Sequence, residues 1–186
     1  MLRLSDLKVK LFTDGADKAQ ILEMAAKPWI KGFTTNPSLL KKAGVSDYAA
    51  YARDLVAAVP DRHISFEVFS DDIPEMVAQA RVITTWGGNV HTKLPVTTTR
   101  GEPLYEAVRA LSREGVKVNM TAIFAPEQVA KAVDALAGGA PACVPPCPKP
   151  TRNAGRHSPW PGTSPGLGLE SACHPIRSPR SIARFD

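Results

Sequence analysis

The chain has 186 residues, of which 44% are hydrophobic and 22% charged, a balance typical of one globular domain with or without an appendage. No apolar run approaches the ~18 residues of a membrane span, and the N-terminus lacks the apolar region of a signal peptide. The three cysteines, Cys143, Cys147 and Cys173, do not fit the even-numbered framework of a secreted disulfide protein. We therefore expect a cytoplasmic protein with no membrane partner.

Short β-rich runs alternate with longer segments of helical period along residues 1–144. Strands are predicted at residues 8–12, 31–35, 63–69, 89–94 and 116–120. Helices are predicted between them at residues 16–26, 48–58, 73–82, 104–114 and 126–136. A sixth strand is expected to begin near Ala142. Because this spacing is typical of right-handed βα units, the pattern predicts an α/β fold with a parallel sheet.

Two architectures use such units, the doubly wound sheet and the (β/α)8 barrel. Neither a dinucleotide fingerprint nor a phosphate loop follows the first strand, where Gly15 stands alone after Asp14. Instead, polar residues mark the end of each strand: Asp14, Thr35 and Asn36, Glu67, Lys93, and Asn119 and Thr121. Barrels collect active-site residues in this way, so the pattern favours the (β/α)8 TIM-barrel type.

The composition changes abruptly at residue 145 and divides the chain into a barrel-like segment, 1–144, and a tail, 145–186. The tail holds 9 of the 17 prolines and +4 of the net charge of +5, without the apolar periodicity that would bury a face. We expect it to be irregular and disordered. The tail has one Trp, one Phe and no helical stripe of charge. We therefore expect no nucleic-acid partner.

The cysteines around this boundary raise the alternative of a metal site. Cys143 and Cys147 are followed by Cys173 and His174, a spacing that matches no common zinc template. No metal is expected.

Lys93 is the strongest candidate for a reactive group because it lies inside an apolar predicted strand. A lysine is almost never fully buried without a partner or a function. Desolvation lowers the pKa of an amine, and a neutral amine can attack a carbonyl to form a Schiff base. The alternative is a strand-end lysine whose ammonium reaches solvent.

Glu67 and Asp14 are predicted at the same rim, where carboxyl groups would transfer protons during Schiff-base chemistry. Glu67 has apolar strand neighbours, which favours a functional role. Asp14 precedes a predicted helix and is equally a candidate N-cap, and Asn36 before Pro37 is also explained as a cap of a short helix.

Three motifs together resemble the transaldolase family of class I aldolases: residues 32–38 (GFTTNPS), 93–97 (KLPVT) and 119–124 (NMTAIF), with Asp14 upstream. The resemblance covers residues 8 to about 144. It implies a (β/α)8 barrel that transfers a dihydroxyacetone unit between sugar phosphates in the pentose phosphate pathway. It also implies no cofactor and no metal, and it leaves homo-oligomerisation open.

The resemblance assigns roles to individual residues. It implies that Lys93 forms the Schiff base and that Asp14 is the acid/base of carbon–carbon cleavage. Glu67 and Thr121 would hold the water that shuttles protons. The expected substrate-binding residues are Thr35, Asn36 and Asn119, with both asparagines donating to the hydroxyls of dihydroxyacetone. The sister fructose 6-phosphate aldolases carry glutamine where this chain has Glu67, which favours a transferase over a lyase.

The chain departs from the family after the sixth strand, where an arginine and two further βα units are expected. About five and a half of eight units cannot close a barrel, so we expect an open sheet with exposed apolar strand faces. We hypothesise that the tail arises from a shifted reading frame. The expected function is therefore a transaldolase with at most trace activity; the alternatives are a fructose 6-phosphate aldolase-like lyase and a non-catalytic remnant.

Overall fold

A computed structural model describes residues 10–145. The strands are β1 (Leu11–Asp14), β2 (Ile30–Thr34), β3 (His63–Glu67), β4 (Val90–Pro95) and β5 (Val118–Thr121). The helices are α1 (Lys18–Ala25), α2 (Pro37–Lys42), α3 (Tyr48–Ala58), α4 (Ile73–Thr84), α5 (Tyr105–Arg113) and α6 (Pro126–Leu136). The predicted tail lies outside the described residues, apart from Pro145, as do Cys147, Cys173 and His174.

The five strands form one parallel sheet in the order β1-β2-β3-β4-β5. With helices following the strands, the sheet is a curled half-barrel, which confirms the prediction of an incomplete α/β barrel. Beyond β5, Cys143 forms a parallel bridge with Asn119, through hydrogen bonds to the backbone of Val118 and Met120. The sixth strand expected near Ala142 is present as this single bridge.

Three predicted strands ended too early, among them β4, which continues past residue 94 to Pro95. β1 continues past residue 12 to Asp14, and β5 continues past residue 120 to Thr121. Asp14 and Thr121, the polar residues predicted to mark these strand ends, pair with a neighbouring strand, Asp14 with Thr34 and Thr121 with Pro95. These residues are therefore fixed by the sheet itself.

The helix starts explain part of the local chain path. Three aspartates and one asparagine accept a backbone N–H in the first turn of the following helix: Asp17, Asp47, Asp72 and Asn36. Because Asp17 caps α1, the cap role considered for Asp14 is wrong. At the other end of the fold, Gly138 follows α6 with φ of 74°, a left-handed conformation that glycine adopts without strain.

The two faces of the sheet have opposite chemistry. Alternate strand residues on the outer face are apolar and fully buried against the helices, as Ile64, Phe66 and Leu94 illustrate. The positions between them point to the concave face and carry polar groups, including Ser65 and Glu67. This period of two places the hydrophobic core between sheet and helices.

The expectation of exposed apolar strand faces is wrong for the described residues. The most exposed large apolar side chains all lie in helices or loops: Leu22, Trp29, Val82, Phe124 and Val133. The reason is that the face left uncovered by helices is the polar concave face. Within residues 10–145, no helix has the length and apolar character needed to cross a membrane.

Candidate active site

Lys93 lies in the middle of the concave face, on β4. Its residue is only 7% exposed, and its Nζ is 3.1 Å from Oε2 of Glu67 on the neighbouring strand. A longer contact of 3.5 Å joins the same Nζ to the carbonyl oxygen of Thr35. The lysine is therefore held inside the fold by an ion pair, and the alternative of an ammonium reaching solvent does not apply.

The carboxyl group of Glu67 is perturbed by its surroundings. Burial raises its pKa above the usual range; the ammonium of Lys93 opposes that shift, and the charge of Asp14 adds to it. A raised pKa lets a carboxyl group hold and release a proton closer to neutral pH. The pair therefore combines a nitrogen nucleophile with an adjacent proton carrier.

Asp14 stands at the carboxyl end of β1 on the same rim. Its Oδ1 accepts a hydrogen bond of 2.9 Å from the hydroxyl of Thr34. Asp14 is also close enough to Glu67 for its charge to influence the pKa of that residue. The structure thus brings Asp14, Glu67 and Lys93 into one electrostatic cluster, as the sequence predicted.

Asn119 is in register with Lys93 on β5 and is 2% exposed. Its Nδ2 donates a hydrogen bond of 2.9 Å to Oγ of Ser65. Its Oδ1 is buried and has no hydrogen-bond partner among the described residues. One side of this amide is therefore engaged by the protein, and the other is an unused acceptor.

Thr121 ends β5 beside the cluster, and its hydroxyl donates to the carbonyl oxygen of Leu94 at 3.4 Å. The next residue, Ala122, has φ of 59°, which is unfavourable for a residue with a Cβ. Such backbone strain concentrates at functional sites. The strained residue directly follows Thr121, and the water-holding role of Thr121 stays a prediction.

Thr35 and Asn36 contribute differently from the other predicted residues. The Thr35 hydroxyl is fully buried and bonds to the backbone oxygen of Ser65 at 3.3 Å, so only its carbonyl meets the lysine. Asn36 uses its Oδ1 to accept from the N–H of Leu39 at 3.0 Å, capping α2. Both side-chain oxygens bond to backbone groups, and the substrate-binding role of the two residues stays a prediction.

Sequence reasoning missed the residues that support the site. His63 Nε2 is 2.6 Å from Ser65 Oγ, and the ring of His63 stacks on that of His91 with 3.5 Å between centroids. Burial lowers the pKa of His63 to about 3 and that of His91 to about 4. The alternation of side chains along a strand could have identified them. Residues 63, 65 and 67 share one face of β3, and residues 91 and 93 share one face of β4.

A second missed residue, Tyr48, lies below the site on the helical side of the sheet. Its hydroxyl donates to the backbone oxygen of Glu67 at 3.1 Å, and its ring packs edge-on against Phe66, Phe69 and Trp86. Tyr48 thereby ties the end of β3 to the hydrophobic core. Burial, followed by the charge of Glu67, raises the pKa of Tyr48 well above its usual range.

Metal ligands do not converge within residues 10–145, where no group of three or more His, Cys, Asp or Glu side chains could hold an ion. The expected absence of a metal and of a cofactor stays a prediction. The described polar cluster instead consists of an amine, two carboxyl groups, hydroxyls and an amide.

A parallel βα half-barrel with polar groups at the carboxyl ends of its strands has the layout of the α/β-barrel enzymes. The profile of the transaldolase/fructose-6-phosphate aldolase family matches residues 11–146. The chain therefore belongs to this family, as the three motifs predicted.

Curated relatives give the same result. The chain is 38% identical over 132 residues to a probable transaldolase of Dehalococcoides mccartyi, covering 71% of this chain and 58% of that protein. It is 40% identical over 120 residues to a probable transaldolase of Thermoanaerobacter sp., covering 64% of this chain and 53% of that protein. The chain thus spans a little over half the length of these relatives.

Proposed function

We propose that this chain carries out the Schiff-base chemistry of a transaldolase, with a dihydroxyacetone unit transferred between sugar phosphates. The observation that carries the proposal is the buried ion pair between Lys93 and Glu67 on the concave face, at 3.1 Å. An amine that is to attack a carbonyl must first lose a proton, and Glu67 is the group next to it that can take one.

The first step is formation of the Schiff base. A proton passes from the Lys93 ammonium to the Glu67 carboxylate, and the neutral amine attacks the ketose carbonyl to give a carbinolamine. Glu67 then returns its proton to the departing hydroxyl, directly or through a water held with Thr121. Water leaves, and a protonated imine joins Lys93 to the sugar. Glu67 ends as a carboxylate, ready for the reverse reaction.

The second step is cleavage of the carbon–carbon bond. Asp14 removes the proton from the hydroxyl on the far carbon of the bond that breaks, the carbon that becomes the aldehyde. The electron pair of that bond moves into the imine, which becomes an enamine, and an aldehyde leaves. In a transferase the enamine attacks the aldehyde of a second sugar phosphate, and Asp14 gives the proton back. No electron donor or acceptor is needed.

The substrate class follows from the family and from Glu67. The relatives are named probable transaldolases, and the glutamate at this position favours transfer over release. We accordingly propose sugar phosphates of the pentose phosphate pathway as substrates and the cytoplasm as location. A lyase would instead release free dihydroxyacetone, so measurement of that product distinguishes the two reactions.

The decisive experiment is chemical trapping on the 186-residue chain. Fructose 6-phosphate with sodium borohydride should add a reduced dihydroxyacetone group to Lys93, located by peptide mass spectrometry. Lys117, at the start of the neighbouring strand region, provides the matched control: Lys117→Arg should still be labelled, whereas Lys93→Arg should not. Labelling at Lys117, or at no lysine in a chain with native circular dichroism, would refute the proposal.

Complete transfer requires more than the described cluster. A phosphate dianion is bound best by arginine or lysine, and the family arginine expected after the sixth strand has no counterpart at a matching position. We therefore expect transaldolase turnover of this chain to be at most a trace. The comparison is a coupled assay beside a version completed with the C-terminal half of a relative; equal rates would contradict the expectation.

A further inference from the structure

Three side chains below Lys93 form a hydrogen-bonded series that the mechanism above does not use. It runs from His63 Nε2 to Ser65 Oγ at 2.6 Å and from Ser65 Oγ to Asn119 Nδ2 at 2.9 Å. Ser65 lies on β3 and Asn119 on β5, so the second bond spans β4, the strand that carries Lys93. The series therefore crosses the concave face beside the reactive amine.

The direction of each hydrogen bond follows from what the groups can donate. An amide nitrogen only donates, so Ser65 Oγ accepts from Asn119. A hydroxyl has one proton of its own, and Ser65 is fully buried, so this proton needs an acceptor. Among the described residues, the structure places His63 Nε2 within reach of it. His63 must then be neutral and carry its proton on Nδ1.

The surroundings of His63 support the neutral form. Its ring is stacked on His91 at an interplanar angle of 11°, and the edge contact with Phe12 has 4.7 Å between centroids. Burial, followed by the influence of His91, lowers the pKa of His63 to about 3. A neutral, clamped imidazole is a fixed acceptor at neutral pH.

The end of the series is the unused oxygen of Asn119, which is buried beside Lys93 without a partner among the described residues. We propose that Ser65 and His63 are positioning residues, which hold the Asn119 amide so that its oxygen accepts a hydrogen bond from a hydroxyl of the dihydroxyacetone unit on Lys93. This inference rests on the proposed function. It adds an acceptor role to the donor role expected of Asn119, because the bond to Ser65 uses only one of the two N–H groups of the amide.

The structural half of the inference is tested without any substrate. In the 186-residue chain labelled with ¹⁵N-histidine, two-dimensional NMR at pH 7 should show His63 as the neutral tautomer with its proton on Nδ1. Ser65→Ala should make the Asn119 side-chain amide protons exchange faster, whereas Ser65→Thr, which keeps the hydroxyl, should not. A proton on Nε2 of His63 would overturn the proposal.

The functional half uses dihydroxyacetone as the probe in borohydride trapping at Lys93. Ser65→Ala and Asn119→Ala should each raise the half-saturating concentration about tenfold, the worth of one hydrogen bond. The double variant should be no weaker than Asn119→Ala alone, because Ser65 acts through Asn119. Ser112→Ala, a buried serine on α5, is the matched control and should have no effect.

The experiments distinguish failure of the proposed function from failure of the positioning role. If the wild-type chain forms no adduct at Lys93, the proposed function fails, and the tautomer of His63 still decides whether the positioning series exists. If adducts form but the effects of Ser65→Ala and Asn119→Ala simply add, Ser65 does not act through Asn119 and the positioning role is overturned. Rescue by Ser65→Thr would support it.

Discussion

The ion pair between Glu67 and Lys93 should make Glu67→Gln strongly destabilising. The two side chains are 12% and 9% exposed and 3.1 Å apart, which at an effective dielectric constant of about 20 gives an attraction of about 5 kcal/mol. Part of this offsets the desolvation of both charges. Glutamine fills the same space but leaves the ammonium buried without its counter-charge, an arrangement that costs about 3–5 kcal/mol. Because both side chains keep some exposure, we expect a loss at the lower end of this range, about 3 kcal/mol.

Urea unfolding of the 186-residue chain at pH 7, followed by circular dichroism, measures this loss. The double variant Glu67→Gln, Lys93→Met removes both charges and should recover most of the stability. Glu114→Gln is the matched control, because Glu114 pairs with Arg81 at 2.8 Å but on the surface, with side chains 43% and 55% exposed. Such pairs contribute little. If Glu67→Gln unfolds at the same urea concentration as Glu114→Gln, the buried pair does not have the energetic role assigned to it.

Four further outcomes are expected. His63 and His91 have pKa values lowered from 6.5 to about 3 and about 4, so they take up protons only on unfolding; stability is complete above pH 6.5 and falls by up to about 1.4 kcal/mol per pH unit per histidine below it. A melting temperature independent of pH between 6.5 and 4.5 would contradict this. Lys93→Arg should abolish borohydride trapping but preserve the thermal melt, since a guanidinium keeps the charge and cannot act as a nucleophile. Glu67→Gln should slow Schiff-base formation by about 10²- to 10⁴-fold in single-turnover experiments. Ala122→Gly should raise the free energy of unfolding by about 1 kcal/mol, because glycine adopts φ of 59° without strain.

Much of the site could be predicted because it obeys a local rule. In parallel βα units the carboxyl ends of the strands meet at one rim, so Asp14, Glu67 and Lys93 could be grouped from strand positions alone. The apolar runs alone stopped β1 and β5 too early, at residues 12 and 120. Polarity was the better guide here, because Asp14, Glu67 and Thr121 are the last residues of β1, β3 and β5.

The rest depends on register between strands, which no short sequence pattern fixes. Asn119 reaches Ser65 only because β4 aligns Lys93 with both Glu67 and Asn119. The N-cap of α1 is a second feature that the sequence pattern alone could not predict. Asp14 and Asp17 are both reasonable caps in the sequence, and the extension of β1 to Asp14 leaves the role to Asp17.

The two faces of the sheet have separate roles, which explains how a half-barrel can hold the residues proposed for Schiff-base chemistry. The outer face supplies the core, with residues such as Phe33, Ile64 and Met120 almost completely buried; this burial against the helices does not depend on the concave face. The concave face is then available for polar groups. Because the groups proposed for Schiff-base formation and cleavage all lie on β1, β3, β4 and β5, their relative positions are set by pairing within this one sheet. We therefore expect trapping at Lys93 to depend on this sheet alone, and complete transfer to depend in addition on phosphate-binding groups outside it.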